Sequence, residues 1–567
     1  MKSLSFNRAR FAGWATIAVL ALGGSPPAYS QANDLVVAQV CLDEANLDCA
    51  QKAFARLSSS ARATVEGRAL ASRLAFYEGD YARAVSEIRS AVDATPEGDR
   101  LARDELYQRI LGHYETALEV TASFEVAADG KHTVRYAPGA DMILGEESLE
   151  VLEACQRELV PLLGDAPDHA IVVEIFPTAD AFIEASDDLA PAYDEQGRVV
   201  EGTTRWRRAV QTTGVIALSK WTRLLVTSPR AKPRGYGWKD TLAHEYVHLL
   251  VAARSQDRVP VWLQEGLAKA LEARWRGESR VQISPHQEAL LSEALEADDL
   301  VTLDEMHPSM ALLPSAERAA LAFAQVALMV DYAIAEGGEG SLLKAIDAVR
   351  DGADARVALA EGAGFADFSA FYEGWLAYLR ALDLTGGKLS ALPTVLDAAG
   401  DDFAEDPLLA DRKDLADFAR LGDLLMEADR PLAALVEYTK AAPADEPLSP
   451  LLANRLARCH LALDASAEAR RILEESARLY PEFAMTHKLL GDLYLRDGAT
   501  KQALGAYRYA HDLNPYDAQV EAALASLYEA SGALELAKRH RRYGRILAVA
   551  GRPLEESAKL QGADRAF

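Results

Sequence analysis

The stretch TLAHEYVHLL, residues 241–250, places His244, Glu245 and His248 in an amphipathic helical pattern. Residues four apart on a helix lie one turn above each other, about 5–6 Å apart, so both imidazoles can converge on one ion. Tetrahedral zinc suits this geometry. Glu245 is rotated by about 100° from His244, beside the ion rather than on it. Its carboxylate can therefore take a proton from water at the metal.

The HExxH pattern also arises by chance, so it does not identify a metal site by itself. The stretch VPVWLQEGLAKALE, which begins eleven residues after His248, supplies the second feature that favours a metal site. Pro260 suits the first turn of a new helix, and Val259 before it is biased to extended geometry. The turn SQDRV folds this second helix back, so that Glu265 can face the histidines. Two histidines, one glutamate and an open fourth position are the ligand set of a catalytic zinc site.

The combination of HEYVH and PVWLQEGLA resembles the peptidase-MA-like gluzincins, relatives of thermolysin and aminopeptidase N. It is most similar to their exported bacterial members that carry tetratricopeptide repeats. The resemblance implies one Zn²⁺ ion held by His244, His248 and Glu265, with Glu245 as the general base of peptide-bond hydrolysis. The implied fold is an α+β gluzincin-like peptidase domain at 131–384, flanked by all-α tetratricopeptide-like repeats.

Two features depart from the family pattern. The gap between the second histidine and the glutamate ligand is sixteen residues, slightly shorter than in thermolysin, and Lys269 stands where thermolysin has an aspartate behind the metal. A carboxylate that orients a histidine is usually needed, and Asp240 and Glu272 are candidates. The resemblance also implies a Tyr or His that stabilises the oxyanion. Tyr332 or His286 could serve, with packing or surface roles as the alternatives.

The N-terminus has the layout of a secretory signal peptide over residues 1–32. Lys2, Arg8 and Arg10 precede the apolar run 11–22, and small residues follow, with cleavage expected after Ser30 or Ala32. The apolar run is too short to span a bilayer, although an uncleaved anchor is the alternative. We therefore expect an exported protein, periplasmic or secreted, with no integral membrane segment after cleavage.

Length and periodicity divide the rest of the 567-residue chain. Residues 34–125 are predicted to be helical, with residues 65–98, around Gly79 and Tyr81, forming either one tetratricopeptide-like unit or a helical hairpin of no particular family. Strand-like runs lie in HTVRYAP, AIVVEIFP, RAVQTTGVIALS and RLLVTSP, with helices at 147–163 and 179–189. A helical half follows from residue 239. A linker at 385–414 leads to about four tetratricopeptide repeats at 415–551, and a tail covers 552–567.

Four cysteines are present, too few for a disulfide framework. Cys41 and Cys49 can be bridged if a turn lies between them. On one continuous helix they would be about 12 Å apart, beyond the disulfide limit of about 7 Å. Cys155 and Cys459 are expected to be buried small hydrophobic residues, because neither has a partner at metal-ligand spacing.

Other residues near the metal-binding stretch have two interpretations each. The strand around 214–217 could bind a substrate backbone by strand addition or be an ordinary core strand. Tyr246, Trp262 and Leu263 are expected to pack the two helices together. The basic residues 230, 232 and 234 could bind a carboxylate, but solvated loop charge is favoured.

Three functions remain open from the sequence. The first is zinc-dependent hydrolysis of a peptide or protein substrate, with the repeats binding a protein partner. The second is a non-catalytic scaffold of the cell envelope that uses a peptidase-like fold. The third is hydrolysis of a non-peptide amide such as a cell-wall crosslink. The formal charge of −26 makes nucleic acid an unsuitable partner, because phosphate backbones are repelled.

Overall fold

The structure of the protein is a computed structural model. It describes residues 26–43, 47–94, 100–164, 170–186, 192–193, 199–200, 216–220, 222–232, 235–307, 310, 313–384, 412–442 and 447–550. The predicted signal peptide lies outside the described residues up to position 25, and residues 26–32 belong to the first helix. The predicted tail lies outside them, as does the predicted linker up to residue 411.

The described chain begins with a series of helices: α1 (Pro26–Asp43), α2 (Leu47–Arg56), α3 (Ser59–Arg62), α4 (Val65–Tyr77), α5 (Tyr81–Ala94) and α6 (Arg100–Thr121). A disulfide joins Cys41 near the end of α1 to Cys49 in α2, with the Cα atoms 5.6 Å apart. This is the bridged alternative of the sequence analysis. Cys155 and Cys459 are free and buried, which confirms their prediction.

A small sheet follows, built from β1 (Glu125–Ala128), β2 (His132–Tyr136), β3 (Ile171–Phe176), β6 (Ala217–Lys220) and β7 (Arg223–Thr227). The strand order is β1-β2-β3-β7-β6. The three inner strands are parallel, and β1 and β6 are antiparallel edges. Strands β4 (Ala192–Tyr193) and β5 (Val199–Val200) form a separate ladder. Helices α7 (Met142–Leu163) and α8 (Ala179–Ser186) lie between strands in the chain.

The predicted strands in HTVRYAP, AIVVEIFP and RLLVTSP are confirmed as β2, β3 and β7. Of RAVQTTGVIALS, residues 217–219 begin β6, and the residues before 216 lie outside the described part. Strand β1 was not predicted, and α7 begins at Met142 instead of residue 147. The described residues are mostly helical, so the α+β class rests on this one small sheet beside many helices.

The helical half contains α9 (Trp238–Ser255), α10 (Val261–Leu271), α11 (Pro285–Ala297), α12 (Ala316–Gly337), α13 (Gly340–Arg350), α14 (Ala355–Gly362) and α15 (Phe368–Ala381). Among the described residues, helix α12 is long and apolar enough to cross a membrane by length and composition, a test that the buried core helix of a globular protein also passes. Most of its side chains are buried in the main core, as in a core helix of a globular domain.

The repeat region forms four consecutive helix pairs: α16 (Lys413–Glu427) with α17 (Pro431–Ala441), α18 (Pro450–Ala462) with α19 (Ser466–Leu479), α20 (Ala484–Arg496) with α21 (Thr500–Leu513), and α22 (Ala518–Ala530) with α23 (Leu534–Ala550). In the first pair, a Cβ at Gly422 would overlap the ring of Tyr438, whose hydroxyl donates to Asp423 at 2.6 Å. The third pair repeats this arrangement with Gly491, Tyr507 and Asp492. This recurrence supports the predicted repeats, because the first and third pairs both close around a glycine at the same position of the helix pair.

The two faces of the sheet have different neighbours. Side chains alternate between the faces along a strand. Val173, Leu224 and Val226 face the main core, which includes the buried side of α9. Phe176 and Leu225 face the opposite side and pack with α8. The sheet therefore separates α9 from everything packed on its far face.

The N-terminal helices lie on that far face. Glu174 of β3 and Arg223 of β7 are fully buried there, 2.5 Å apart, and the hydroxyl of Tyr81 on α5 donates to Glu174 at 2.5 Å. Arg223 also donates to the carbonyl oxygen of Phe76 at the end of α4. This buried ion pair holds the N-terminal helices on the side of the sheet away from α9, where they do not cover residues 244–248.

We predict that Arg223→Met destabilises the whole fold. The substitution leaves Glu174 buried with only the more distant Arg135 as a cationic partner, at 3.3 Å. Loss of one member of a buried pair costs about 3–5 kcal/mol. Urea unfolding followed by circular dichroism measures the change. Arg157→Met removes an exposed pair with Glu158 and should change stability by less than about 1 kcal/mol. Equal stability of the two variants would contradict the prediction.

Candidate metal centre

The turn between α9 and α10 is built from residues with special backbone geometry. Gln256 and Asp257 both adopt left-handed conformations, with φ of 53° and 56°, which ends α9. Pro260 then stands as the N-cap of α10, one position before its predicted place in the first turn. The chain reverses within a few residues, so α10 packs back against α9 as predicted.

Helices α9 and α10 bring the three predicted ligands together. The Nε2 atoms of His244 and His248 are 3.2 Å apart, and Oε2 of Glu265 lies 3.4 Å and 3.5 Å from them. A tetrahedral zinc ion with bonds of about 2.0–2.1 Å separates its ligand atoms by about 3.3–3.4 Å. The three donor atoms therefore fit one zinc ion with little adjustment. Their side chains are partly exposed, which leaves access from solvent.

Both histidines are oriented through their other ring nitrogen. Nδ1 of His244 donates to Oε2 of Glu272 at 3.1 Å, and Nδ1 of His248 donates to Oε1 of Gln264 at 3.3 Å. Gln264 is held in turn by the carbonyl oxygen of Val259. In a neutral imidazole with its hydrogen on Nδ1, Nε2 can present a lone pair to a cation, and these contacts favour that tautomer for both rings.

Glu272 is thus the carboxylate behind the first histidine, one of the two candidates named from the sequence. Burial raises the pKa of Glu272, but its ion pair with Lys269 and its bond to His244 outweigh burial and lower it. Asp240, the other candidate, accepts hydrogen bonds from Trp275 at 2.7 Å and from Arg276 at 3.1 Å. Lys269, which replaces the expected aspartate, therefore supports the orienting carboxylate.

The carboxylates beside the two histidines favour the addition of positive charge to the cluster. Burial opposes protonation of His244, but its bonds to Glu265 and Glu272 outweigh burial and raise its pKa to about 10. Burial acts against ionisation of Glu265 as well, yet the two histidines lower its pKa. The site is therefore an anionic pocket that takes up either protons or a metal cation.

Glu245 points to a different place from the three donors, beside the edge strand. It is buried, and its carboxylate accepts a hydrogen bond from the backbone N–H of Ser219 on β6. Burial raises the pKa of Glu245, while His248 and His244 lower it by a smaller amount. A carboxylate with a raised pKa beside a cation site has the properties of a general base.

The other residues singled out in the sequence have structural roles. Tyr246, Trp262 and Leu263 are buried in the main core, as expected for packing residues. Tyr332 is buried among the rings of Phe365, Phe371 and Tyr378, which is the packing alternative. His286 is half-buried, and burial lowers its pKa. Arg230 pairs with Asp141 at 2.9 Å, and residue 234 lies outside the described part.

Three residues of the site were missed by the sequence analysis: Gln264, Gly266 and Ser219. A Cβ at Gly266 would lie 2.8 Å from the backbone oxygen of Val326 on α12. The glycine next to Glu265 therefore lets α10 approach α12 closely. The motif WLQEG contains both Gln264 and Gly266, so their presence was visible although their contacts were not.

Residues 212–381 match the family model of the Peptidase MA superfamily. The matched segment includes β6, α9 and α10, and therefore all four residues of the candidate centre. This part of the chain is therefore similar to the Peptidase MA superfamily. No curated protein matches the chain in sequence.

Among solved structures, yeast LTA4 hydrolase is 12% identical over 75% of this chain and 66% of its own, with a TM-score of 0.27. The chain thus spans slightly less than two thirds of that enzyme. MamA is 21% identical over 27% of this chain and 85% of its own, with a TM-score of 0.22. The APC/C hetero-tetramer Cut9-Hcn1 is 12% identical over 93% and 84%, with a TM-score of 0.22. Scores at this level show neither a shared fold nor a shared function.

We predict that Glu272→Gln weakens zinc binding by about 10–100-fold, the usual effect of removing a carboxylate behind a metal-binding histidine. The amide retains an acceptor for His244 but loses the charge that favours a cation. Competition with a chromophoric chelator measures the dissociation constant. The control is Glu278→Gln, since Glu278 is more than half exposed and lies 3.9 Å from Arg276. Equal zinc affinity in both variants would show that Glu272 does not support the centre.

Proposed function

We propose that the protein is a zinc-dependent peptidase whose centre consists of His244, His248, Glu265 and Glu245. One observation carries the proposal: three donor atoms with tetrahedral zinc spacing lie close to a further carboxylate, that of the buried Glu245, which is not one of the donors. The match of residues 212–381 to the Peptidase MA superfamily supports it.

His244, His248 and Glu265 would hold the ion, and the fourth position would remain open. When bound, zinc supplies Lewis acidity, which lowers the pKa of water toward about 7 and polarises a carbonyl group. The chain's own part in this is to present two neutral imidazoles through Glu272 and Gln264. These contacts keep the donor atoms in place before a substrate arrives.

Glu245 would perform the proton transfers. It accepts a proton from the attacking water as the new C–O bond forms at the scissile carbonyl carbon. It then donates that proton to the leaving nitrogen as the C–N bond breaks, so it finishes in its starting state. The buried position of Glu245 suits both directions, because bulk water is kept from the proton that its carboxylate holds between the two steps.

The substrate would bind as an extended strand along β6. Among the described strands this one lies at an edge of the sheet, and the backbone N–H of its Ser219 donates to Glu245. An edge strand offers N–H and C=O groups to a peptide in any sequence. A peptide paired there would carry its backbone past the catalytic carboxylate. This favours a peptide over a non-peptide amide as the substrate.

We also propose that the protein works after export, in the periplasm or outside the cell, with the repeats binding a protein partner or substrate. The disulfide between Cys41 and Cys49 supports an oxidising compartment, where such bonds persist. The four helix pairs of 413–550 support protein binding, because stacked helical repeats form extended concave surfaces.

Glu245→Gln is expected to abolish peptide hydrolysis while zinc stays bound. Loss of a general base lowers the rate by about 10²–10⁴-fold, and the glutamine leaves the ligand set intact. Cleavage of a quenched fluorescent peptide library and metal analysis by mass spectrometry give the two readouts. Glu265→Gln is the contrasting variant, since it should lose both zinc affinity and activity.

Glu158→Gln, at an exposed position on α7, serves as the control and should match the wild type. Stoichiometric zinc without cleavage of any peptide would favour the scaffold function instead. Release of fragments from purified envelope material without peptide cleavage would favour a non-peptide amide substrate.

A further inference from the structure

A second cluster of histidine and glutamate side chains lies where the last repeats meet α7. Nε2 of His511 on α21 is 2.7 Å from Glu147 of α7, and its Nδ1 is 2.6 Å from Glu521 of α22. The other oxygen of Glu521 accepts a hydrogen bond from His540 of α23 at 2.8 Å. All four side chains are at most 6% exposed. The cluster is therefore an internal part of the molecule.

Lys239 joins this cluster to the first turn of α9. Its Nζ atom lies 3.0 Å from Glu147 and 2.5 Å from Asp512 of α21. Lys239 is the second residue of α9, five positions before His244, or about 7–8 Å along the helix axis. The helix that carries the proposed ligands is thus tied to the repeats close to its metal-binding turn.

The network pairs cationic side chains with buried carboxylates. Each ring nitrogen of His511 faces a carboxylate, so both must donate and the ring must be an imidazolium. Burial opposes this protonation, but Glu147 and the hydrogen bonds outweigh burial and raise the pKa of His511 to about 10. Two cations, Lys239 and His511, then face the buried carboxylates of Glu147 and Glu521 and the more exposed carboxylate of Asp512. Removal of one member leaves a buried charge unpaired.

Backbone contacts reinforce the same junction. The N–H of Tyr236, two residues before α9, donates to the carbonyl oxygen of Leu513 at the end of α21 at 3.1 Å. Gly235, with φ of +81°, approaches Leu513 so closely that any Cβ there would overlap its backbone. The start of α9 is therefore held by the repeats through both main chain and side chains.

The cluster of His511, Glu521 and His540 also contains donor atoms close enough together for a cation. The observed hydrogen bonds, however, already use Nδ1 of both histidines and both oxygens of Glu521. The remaining nitrogen of His511 is used by Glu147. These contacts explain the cluster as an ionic network of side chains. Binding of a second metal ion at the cluster is the alternative that the experiment below can detect.

We propose that His511 and Lys239 are positioning residues for α9. They act through Glu147 and hold the first turns of this helix in place, so that His244 stays aligned with Glu265. In this arrangement the last two repeats are a fixed part of the peptidase unit rather than a mobile recruiting arm. The link to metal binding rests on the proposed function, whereas the link to the helix does not.

Hydrogen exchange of the full-length protein tests the helix directly. In His511→Gln, peptides covering residues 238–255 should exchange about tenfold faster, because local opening of α9 becomes easier. His460→Gln makes the same change in α18, outside this network, and should leave α9 unchanged. If His511→Gln fails to fold, Lys239→Met and Lys239→Arg replace it. The methionine should accelerate exchange in α9, and the arginine should restore protection.

A spectroscopic readout separates positioning from general stability. The visible absorption of the Co²⁺-substituted protein should change in Lys239→Met and return toward wild type in Lys239→Arg. Unchanged exchange in α9 for both His511→Gln and Lys239→Met would overturn the proposal. Loss of a second metal ion per chain in His511→Gln would overturn it as well. A wild type that binds no zinc would refute the peptidase function, while the exchange data would still decide the positioning role.

Discussion

Two imidazole nitrogens and a carboxylate oxygen lie within 3.5 Å of one another in this protein, although such electron-rich atoms repel each other unless a cation or protons lie between them. The surrounding contacts maintain this arrangement. Glu272 and Gln264 fix the two rings from behind. Gly266 lets α10 lie close against α12, and this close packing restricts the movement of Glu265, the third donor. These contacts between protein groups thus hold the three donor atoms in place independently of an ion or a substrate.

The remainder of the architecture surrounds α9 on separate sides. The sheet lies on one side and carries the N-terminal helices on its far face, attached through Glu174 and Arg223. The described N-terminal helices thus lie on the face of the sheet opposite α9. The last repeats hold the start of α9 from another side through Lys239. The first two repeats, 413–479, do not take part in that network, although α19 of the second repeat contacts α11.

The carboxylate that orients His244 comes from a different sequence position in this chain than in thermolysin. The orienting carboxylate of thermolysin stands one turn after its glutamate ligand, where this chain has Lys269. Here Glu272 stands about two turns after Glu265, and positions four and seven residues along share one helix face. Position 269 therefore carries the cation that pairs with the orienting carboxylate, and not the carboxylate itself. The local charge differs from the family pattern, but the histidine is still oriented.

The sequence by itself determined the features that depend on local periodicity. The i, i+4 spacing of His244 and His248, the reversal before Pro260 and the 34-residue repeats are properties of neighbouring residues, and the structure shows the corresponding helices. Only the tertiary structure decided between Asp240 and Glu272, placed Ser219 beside Glu245, and paired His511 with Glu147, 364 residues apart in the chain. Helical and strand periods specify which face of an element is apolar. They do not specify which distant element covers that face, because that choice depends on the packing of the whole chain.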